Sequence, residues 1–241
     1  IEENNLNVND VRNYGVSGYG QIHNLIQIEE NIVNLEDIDL LILTVCLSND
    51  LEDNVLNFRH GYHKPYAELN KNSLEIKGIP VINNSEITRK EEYYAGLGLK
   101  KLYKKIKTKV LERRAGILYP TDFYTFDKNL SQYKKDKINQ MYEVFDNIVE
   151  EIFRISNKSN TKIVVLFAPT KFEIEYDVDE PSKVRDNLSK ILQNKGINFI
   201  DPTEKFDKSD FWEIDGHWKE KGHRKIAEEL KNYLKNFSQY K

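Results

Sequence analysis

The run KIVVLFAP, residues Lys162 to Pro169, constrains the chain most. Six apolar residues in succession, without the alternation of a strand that keeps one wet face, predict a strand covered on both sides and stopped by its proline. Ile38 to Leu47 predicts a second such strand; only Asp39 and Thr44 interrupt it, and it ends in Ser48-Asn49-Asp50. Ile197 to Ile200, closed by Asp201-Pro202, predicts a shorter third, and Val11 to Val16 a short extended lead into a glycine-rich turn. Helical spacing runs between them: Gln21 to Leu35, Leu130 to Ser156, Ser182 to Asn194 with Gly196 as its stop, and Lys221 to Phe237. Strands alternating with helices predict an α/β fold built on a parallel sheet. In such sheets functional residues gather on loops at the carboxyl ends of strands. Ser17-Gly18, Asn49-Asp50 and Asp215 to His217 all fall on loops of that kind, so they can converge.

Composition narrows the classes. A chain of 241 residues with 39% hydrophobic content can bury one substantial core, which predicts a single domain over 1–241. The 36 basic and 39 acidic side chains are evenly spread and sum to −3, leaving no positive field to hold a nucleic-acid backbone. No stretch reaches the roughly 18 to 20 apolar residues of a membrane span. The single cysteine, Cys46, sits in an apolar run and reads as a small buried hydrophobe. Tyr66 to Val81 breaks the α/β rhythm with two extended segments around Asn70 to Ser73, a β-hairpin excursion and a candidate lid. The basic stretch Arg89 to Arg114 reads as one or two amphipathic helices, either solvated or in contact with a membrane surface or polyanion.

The C-terminal segment FWEIDGHWKEKGHRKIAEEL carries an acid and a base two residues apart. A carboxylate that accepts an imidazole Nδ1 proton fixes the tautomer of a general base, and in an extended segment Asp215 and His217 leave the same face. A surface loop preceding a helix accounts for the same residues. His223, at the start of that helix with Ile226 and Leu230 on its face, reads as a packing or capping histidine, and His23 as structural. His60 and His63 lack a metal-binding pattern, so no metal and no cofactor is expected. Gly15, Gly18 and Gly20 follow neither the dinucleotide fingerprint nor the P-loop, which leaves a phosphate cradle as a minor reading.

Taken together, GVSGYG before an amphipathic helix, LLILTVCLSNDLEDN ending an apolar strand, the hairpin excursion and DGHW-x3-GH-x2-IA resemble the SGNH (GDSL-type) hydrolases, a family of esterases and lipases. The resemblance spans nearly the whole chain and keeps the family's motif order. It implies a three-layer α/β/α flavodoxin-like fold, and a serine nucleophile served by a C-terminal Asp/His pair. It further implies an oxyanion hole in which Gly18 donates its backbone N–H and Asn49 its side-chain amide, with Asp215 and His217 as acid and base. Oxyanion donors of this kind contribute roughly 3 to 4 kcal/mol each to barrier lowering.

Two departures shape the expectation. The terminal motif is D-x-H where many members write D-x-x-H, a variant associated with polysaccharide O-acetyl-transfer relatives as well as hydrolases. The family's Gly-Asp-Ser turn, which lies upstream of the block matched by GVSGYG, is absent. Sixteen residues precede Ser17, whereas a strand, turn and crossover helix need about 30. The domain is therefore expected to lack its first strand and nucleophile turn, and the 241-residue chain to be inactive towards esters. Three functions stay open: an ester hydrolase acting on a small-molecule or polysaccharide ester, a polysaccharide O-acetyltransferase, and a non-catalytic carbohydrate- or partner-binding module. An upstream signal or anchor would place it in the envelope or outside the cell.

Overall fold

Three parallel strands carry the computed structural model, which describes residues 8–47, 49–59, 62–71, 73–81, 135–176, 179–213 and 216–238. They are β1 (Leu40–Cys46), β6 (Lys162–Ala168) and β7 (Asn198–Ile200), side by side in the order β1-β6-β7. Helix α1 (Gln21–Glu29) precedes β1. Between β1 and β6 come α2 (Asp50–Val55), a two-residue ladder of β2 (Phe58–Arg59) with β3 (Tyr62–His63), a separate antiparallel hairpin of β4 (Tyr66–Asn70) and β5 (Ser73–Lys77), and α3 (Lys135–Lys158). Helices α4 (Lys171–Tyr176) and α5 (Asp179–Asn194) connect β6 to β7, and α6 (Glu220–Ser238) closes the described chain.

Strand β6 is the element the sequence specifies best. Ile163, Val165 and Phe167 join one apolar cluster with α1, α3 and α5, while Val164 and Leu166 join a second with Ile200, Phe206, Phe211 and Ile226 of α6. Burial on both faces explains the unbroken apolar run. The first cluster rests on α3, whose Met141, Val144, Phe145, Ile148, Val149 and Ile152 recur at three- and four-residue steps and are fully buried. Helix α5 ends as expected at Gly196, whose φ of +66° lets Ile197 N–H reach Leu192 O and Gly196 N–H reach Gln193 O. The hairpin also matches, with Asn70 paired to Ser73 and Lys71 at positive φ in the turn.

Other expectations are corrected. Strand β1 is covered on one face only: Leu43 and Val45 are buried, whereas Ile42 and Thr44 are exposed. Helix α6 joins β6 and β7 in the second apolar cluster, against which Leu40 of β1 also packs, while Ile42 and Thr44 of that strand stand in solvent. Its outer edge has no strand partner among the described residues. Cys46, at its end, is half-buried. Residues 11–16 form no strand; Val11 and Val16 are exposed and only Tyr14 packs on the core. Helix α1 stops at Glu29 because Asn31 turns left-handed at φ 55°, and Leu35–Asp37 forms a separate 3-10 turn whose Asn34 side chain accepts Glu36 N–H. The hairpin is anchored, with Ala67 buried and Leu69, Leu74 and Ile76 against the main core, which argues against a free lid. The helices expected at Arg89 to Arg114 and before Lys135 lie outside the described residues. Among those residues no helix is long and apolar enough to cross a membrane.

Candidate functional site

Cys46 and Ala168 are register partners, so β1 and β6 stop at the same level, about 5 Å apart. Asn49 follows the first of these ends and Pro169 the second. Asn49 belongs to one half of the candidate site, and Pro169 anchors the other.

The first half begins with a tight turn. Tyr19 N–H donates to Val16 O at 3.2 Å, and Gly18, third in that turn, has φ +80°. A residue at this position of a type II turn needs positive φ, which favours glycine. A Cβ on Gly18 would meet nothing within 4 Å, so the requirement is conformational and not steric. Gly18 is exposed, and its N–H finds no acceptor among the described residues. Gly20 serves close approach instead: a Cβ there would lie 3.0 Å from Asn54 Oδ1 and 3.1 Å from Asp53 Cβ.

That approach brings the N-termini of α1 and α2 together around a buried polar cluster. Gln21 Nε2 donates to Asp50 Oδ2 at 2.6 Å, and Asn54 Nδ2 donates to Gln21 Oε1 at 3.0 Å. Asn54 Oδ1 accepts the Ile22 N–H at 3.0 Å, capping an α1 donor that would otherwise be orphaned. Asp50 Oδ2 also accepts Cys46 N–H at 2.9 Å, tying the cluster to the end of β1. A carboxylate is favourable here because it meets hydrogen-bond donors and the positive end of a helix. His23 Nδ1 accepts the Gly20 N–H at 3.2 Å, and its ring stacks on Tyr19 with centroids 4.5 Å apart. Burial, aided by the Lys64 charge and opposed by Asp53, lowers the His23 pKa to about 4.

Asn49 sits at the N-cap of α2, and its amide is turned inward. Nδ2 donates to Asp53 Oδ2 at 2.6 Å and to Asp50 Oδ1 at 3.2 Å. To face an oxyanion, the amide must leave these carboxylates.

The second half is the segment before α6. Phe211 and Trp218 form an antiparallel bridge, Trp212 N–H donates to His217 O at 2.8 Å, and Lys219 N–H donates to Asp210 O at 2.7 Å. Trp218 Nε1 donates to Pro169 O at 2.9 Å, which fastens the segment to the end of β6. Lys171, almost fully buried, donates from Nζ to Trp212 O at 3.0 Å and to Glu213 O at 2.7 Å. Gly222 lets α6 start here: a Cβ would lie 3.0 Å from both Asp210 O and Trp218 Cβ. Buried Asp210 accepts Asp207 N–H and pairs with Lys225 Nζ at 2.5 Å. Hydrogen bonds from Lys221 and Ser209 hold the Asp207 carboxyl far below the usual range. His217 is exposed, Gly216 beside it has φ +70°, and Asp215 lies outside the described residues. His223 is an exposed packing residue, edge-on to Trp218 with centroids 5.5 Å apart.

No protein-family model, curated protein or solved structure matches the chain.

The structure therefore seats Gly20, two residues after Gly18, on the helix that Asn49 caps, and hangs the His217 segment from the end of β6. Among the described residues no three His, Cys, Asp or Glu side chains could hold a metal; His60 lies outside them. Sequence reading missed Gln21, Asn54 and Lys171. Gln21 and Asn54 carried a signal, as uncharged amides beside apolar helix positions. Lys171 carried none, since its partners stand 41 and 42 residues away.

Proposed function

We propose that this domain is an ester-processing member of the SGNH type, with a three-layer α/β/α arrangement and a serine supplied from outside the described residues. In this reading the serine hydroxyl attacks the acyl carbonyl and His217 takes its proton. Asp215 orients the imidazole, the Gly18 N–H meets the oxyanion, and the proton passes to the departing alcohol. The observation that carries the reading is that Asn49 follows the end of β1 while the His217 segment is fastened through Trp218 to the same end of the paired strand β6, with the Gly18 turn two residues before Gly20, which packs on α2. The outer edge of β1, which has no strand partner among the described residues, supports a further strand there as the source of the serine. Water as acceptor makes the reaction hydrolysis, and a sugar hydroxyl makes it transfer.

The test is the imidazole proton of His217. A proton shared with a carboxylate gives a low-field NMR resonance protected from exchange, which Asp215→Asn should abolish while the fold persists. Absence of that resonance in the unaltered chain overturns the acid-base pair. The 241-residue chain should turn over small acyl esters negligibly. Turnover lost in Ser17→Ala would instead make Ser17 the nucleophile. The inward-turned amide of Asn49 favours a second reading, a binding module that keeps the fold without the chemistry. Soluble acetylated and deacetylated polysaccharides separate the two: a module binds either without turnover even when a strand and Gly-Asp-Ser turn are fused to it.

A further inference from the structure

Lys171 begins α4 three residues beyond β6, where a lysine ordinarily reaches solvent, yet only 5% of it is exposed. Taking an ammonium out of water is costly unless its three N–H bonds find acceptors. Here they find the consecutive carbonyl oxygens of Trp212 and Glu213, at 3.0 and 2.7 Å, with the Glu175 carboxylate 3.7 Å away. The fold spends a buried cation on two main-chain oxygens between Phe211 and Trp218, the residues that pack the ends of the segment into the second apolar cluster, while Trp212 and Glu213 themselves are exposed. Trp212 in turn donates its N–H to His217 O, and is itself half exposed. The backbone tie to Trp212 thus helps to set the place of His217, which is exposed and follows Gly216 at φ +70°.

We propose that Lys171 is the positioning residue of the His217 segment, a clamp that fixes the 212–213 main chain, and through Trp212 the His217 backbone, against the end of β6. The catalytic consequence rests on the reading of His217 as the base; the clamp itself does not. A base must stand within about 0.5 Å of its productive place, and two donors from one rigidly seated ammonium define a main-chain position better than a flexible loop can.

The experiment is NMR on the full chain. In the unaltered protein the Lys171 ammonium should give a separate, slowly exchanging signal at mildly acidic pH. Lys171→Met keeps the stem and removes the donors. It should speed Trp212 amide exchange about tenfold or more, with no matching rise in the β6 amides, and narrow the His217 ring resonance as the side chain gains mobility. Lys171→Arg, which keeps donors, should restore most of the protection. An ammonium exchanging as fast as exposed lysines overturns the clamp, and that measurement decides the matter even if Lys171→Met does not fold. A folded Lys171→Met variant with unchanged Trp212 exchange and His217 line width overturns it as well. The Asp215→Asn experiment is independent: loss of the low-field proton with Trp212 protection intact supports the acid-base pair alone. A missing low-field proton beside a protected Lys171 ammonium sinks the hydrolase reading and leaves the clamp standing.

Discussion

The two halves of the candidate site are built by opposite means. Around Gly18 and Asn49, side chains bond to side chains in the interior, and Gln21, Asp50, Asp53 and Asn54 are all nearly inaccessible to solvent. Around His217 the bonds run from buried donors to main-chain oxygens, and the residue of interest stays exposed. The first half is continuous with the core, because Asp50 accepts the amide of Cys46 at the end of β1. The second packs into the core only at its two ends, Phe211 and Trp218, and between them is bonded at Lys171, with Pro169 holding the Trp218 indole. Damage to the first half should register in global stability, and damage to the second in local order.

Asp50→Ala should break this contrast most severely. It removes one acceptor group shared by Gln21 Nε2, Cys46 N–H and Asn49 Nδ2, and leaves the buried Gln21 amide only its long 3.4 Å bond to Thr44 O. Hydrogen bonds to a charged group are worth about 1.5 to 3 kcal/mol each, and their losses overlap, so about 3 to 4 kcal/mol should be lost. In a chain of this size that is a fall of roughly 10 °C in Tm by calorimetry. By contrast Arg224→Ala, which removes an exposed pair with Glu220, should change stability by less than about 0.5 kcal/mol. Similar losses from the two variants would refute the claim that the buried cluster belongs to the core.

Acid attacks the same half selectively. The folded-state pKa of His23, about 4, lies below the ordinary 6.5, so the folded protein favours the neutral ring. The unfolded chain binds more protons across this interval, and stability falls as pH falls from about 6.5 to about 4. The Nδ1 lone pair that receives Gly20 N–H is the one a second proton would occupy. Urea titrations at a series of pH values should show about 2 kcal/mol of this loss in the unaltered chain, and the component should vanish in His23→Gln. An identical pH slope in both proteins would show that the ring carries no such linkage.

How much of this could be read in advance depends on what each residue answers to. Strand β6 was legible because both its faces are buried, and such burial leaves an unbroken apolar run. The run of β1 looks the same, but composition records what a strand could bury and not which neighbour arrives, so its exposed face was invisible. Gly18 and Gly196 were legible because positive φ favours one residue type. Helix α2 was not, since six residues are too few to show a period. Asn49 was legible as a polar residue at a strand end, but the inward turn of its amide depends on Asp53, four residues further on, being buried. Burial of Lys171 likewise follows from a segment some forty residues later.

Gly18→Ala isolates the conformational demand of the turn. Space is open around the new methyl, so the cost comes from φ +80° alone, about 1 to 2 kcal/mol for an L-residue held in the left-handed region. Gly18→Asn should cost less, because asparagine tolerates that region better. Chemical denaturation should rank the three proteins Gly, Asn, Ala. Equal stability of the alanine variant would mean that the turn does not require positive φ.

Trp218→Phe should have the smallest effect on global stability and the clearest local one. It deletes the indole N–H that bonds Pro169 O but keeps an aromatic ring between Phe206 and His223. One net hydrogen bond is worth about 1 kcal/mol, and part of that returns when water reaches the half-buried carbonyl, so Tm should fall by only about 2 °C. The His217 segment would still be held by Lys171 at one end, while the end nearest His217 is released from β6. Amide exchange should therefore rise at Trp218 and at His217, with the Asp50 cluster unaffected. If the variant instead loses as much stability as Asp50→Ala, the fold depends on the Trp218 bond as it does on Asp50, and the two halves are built alike.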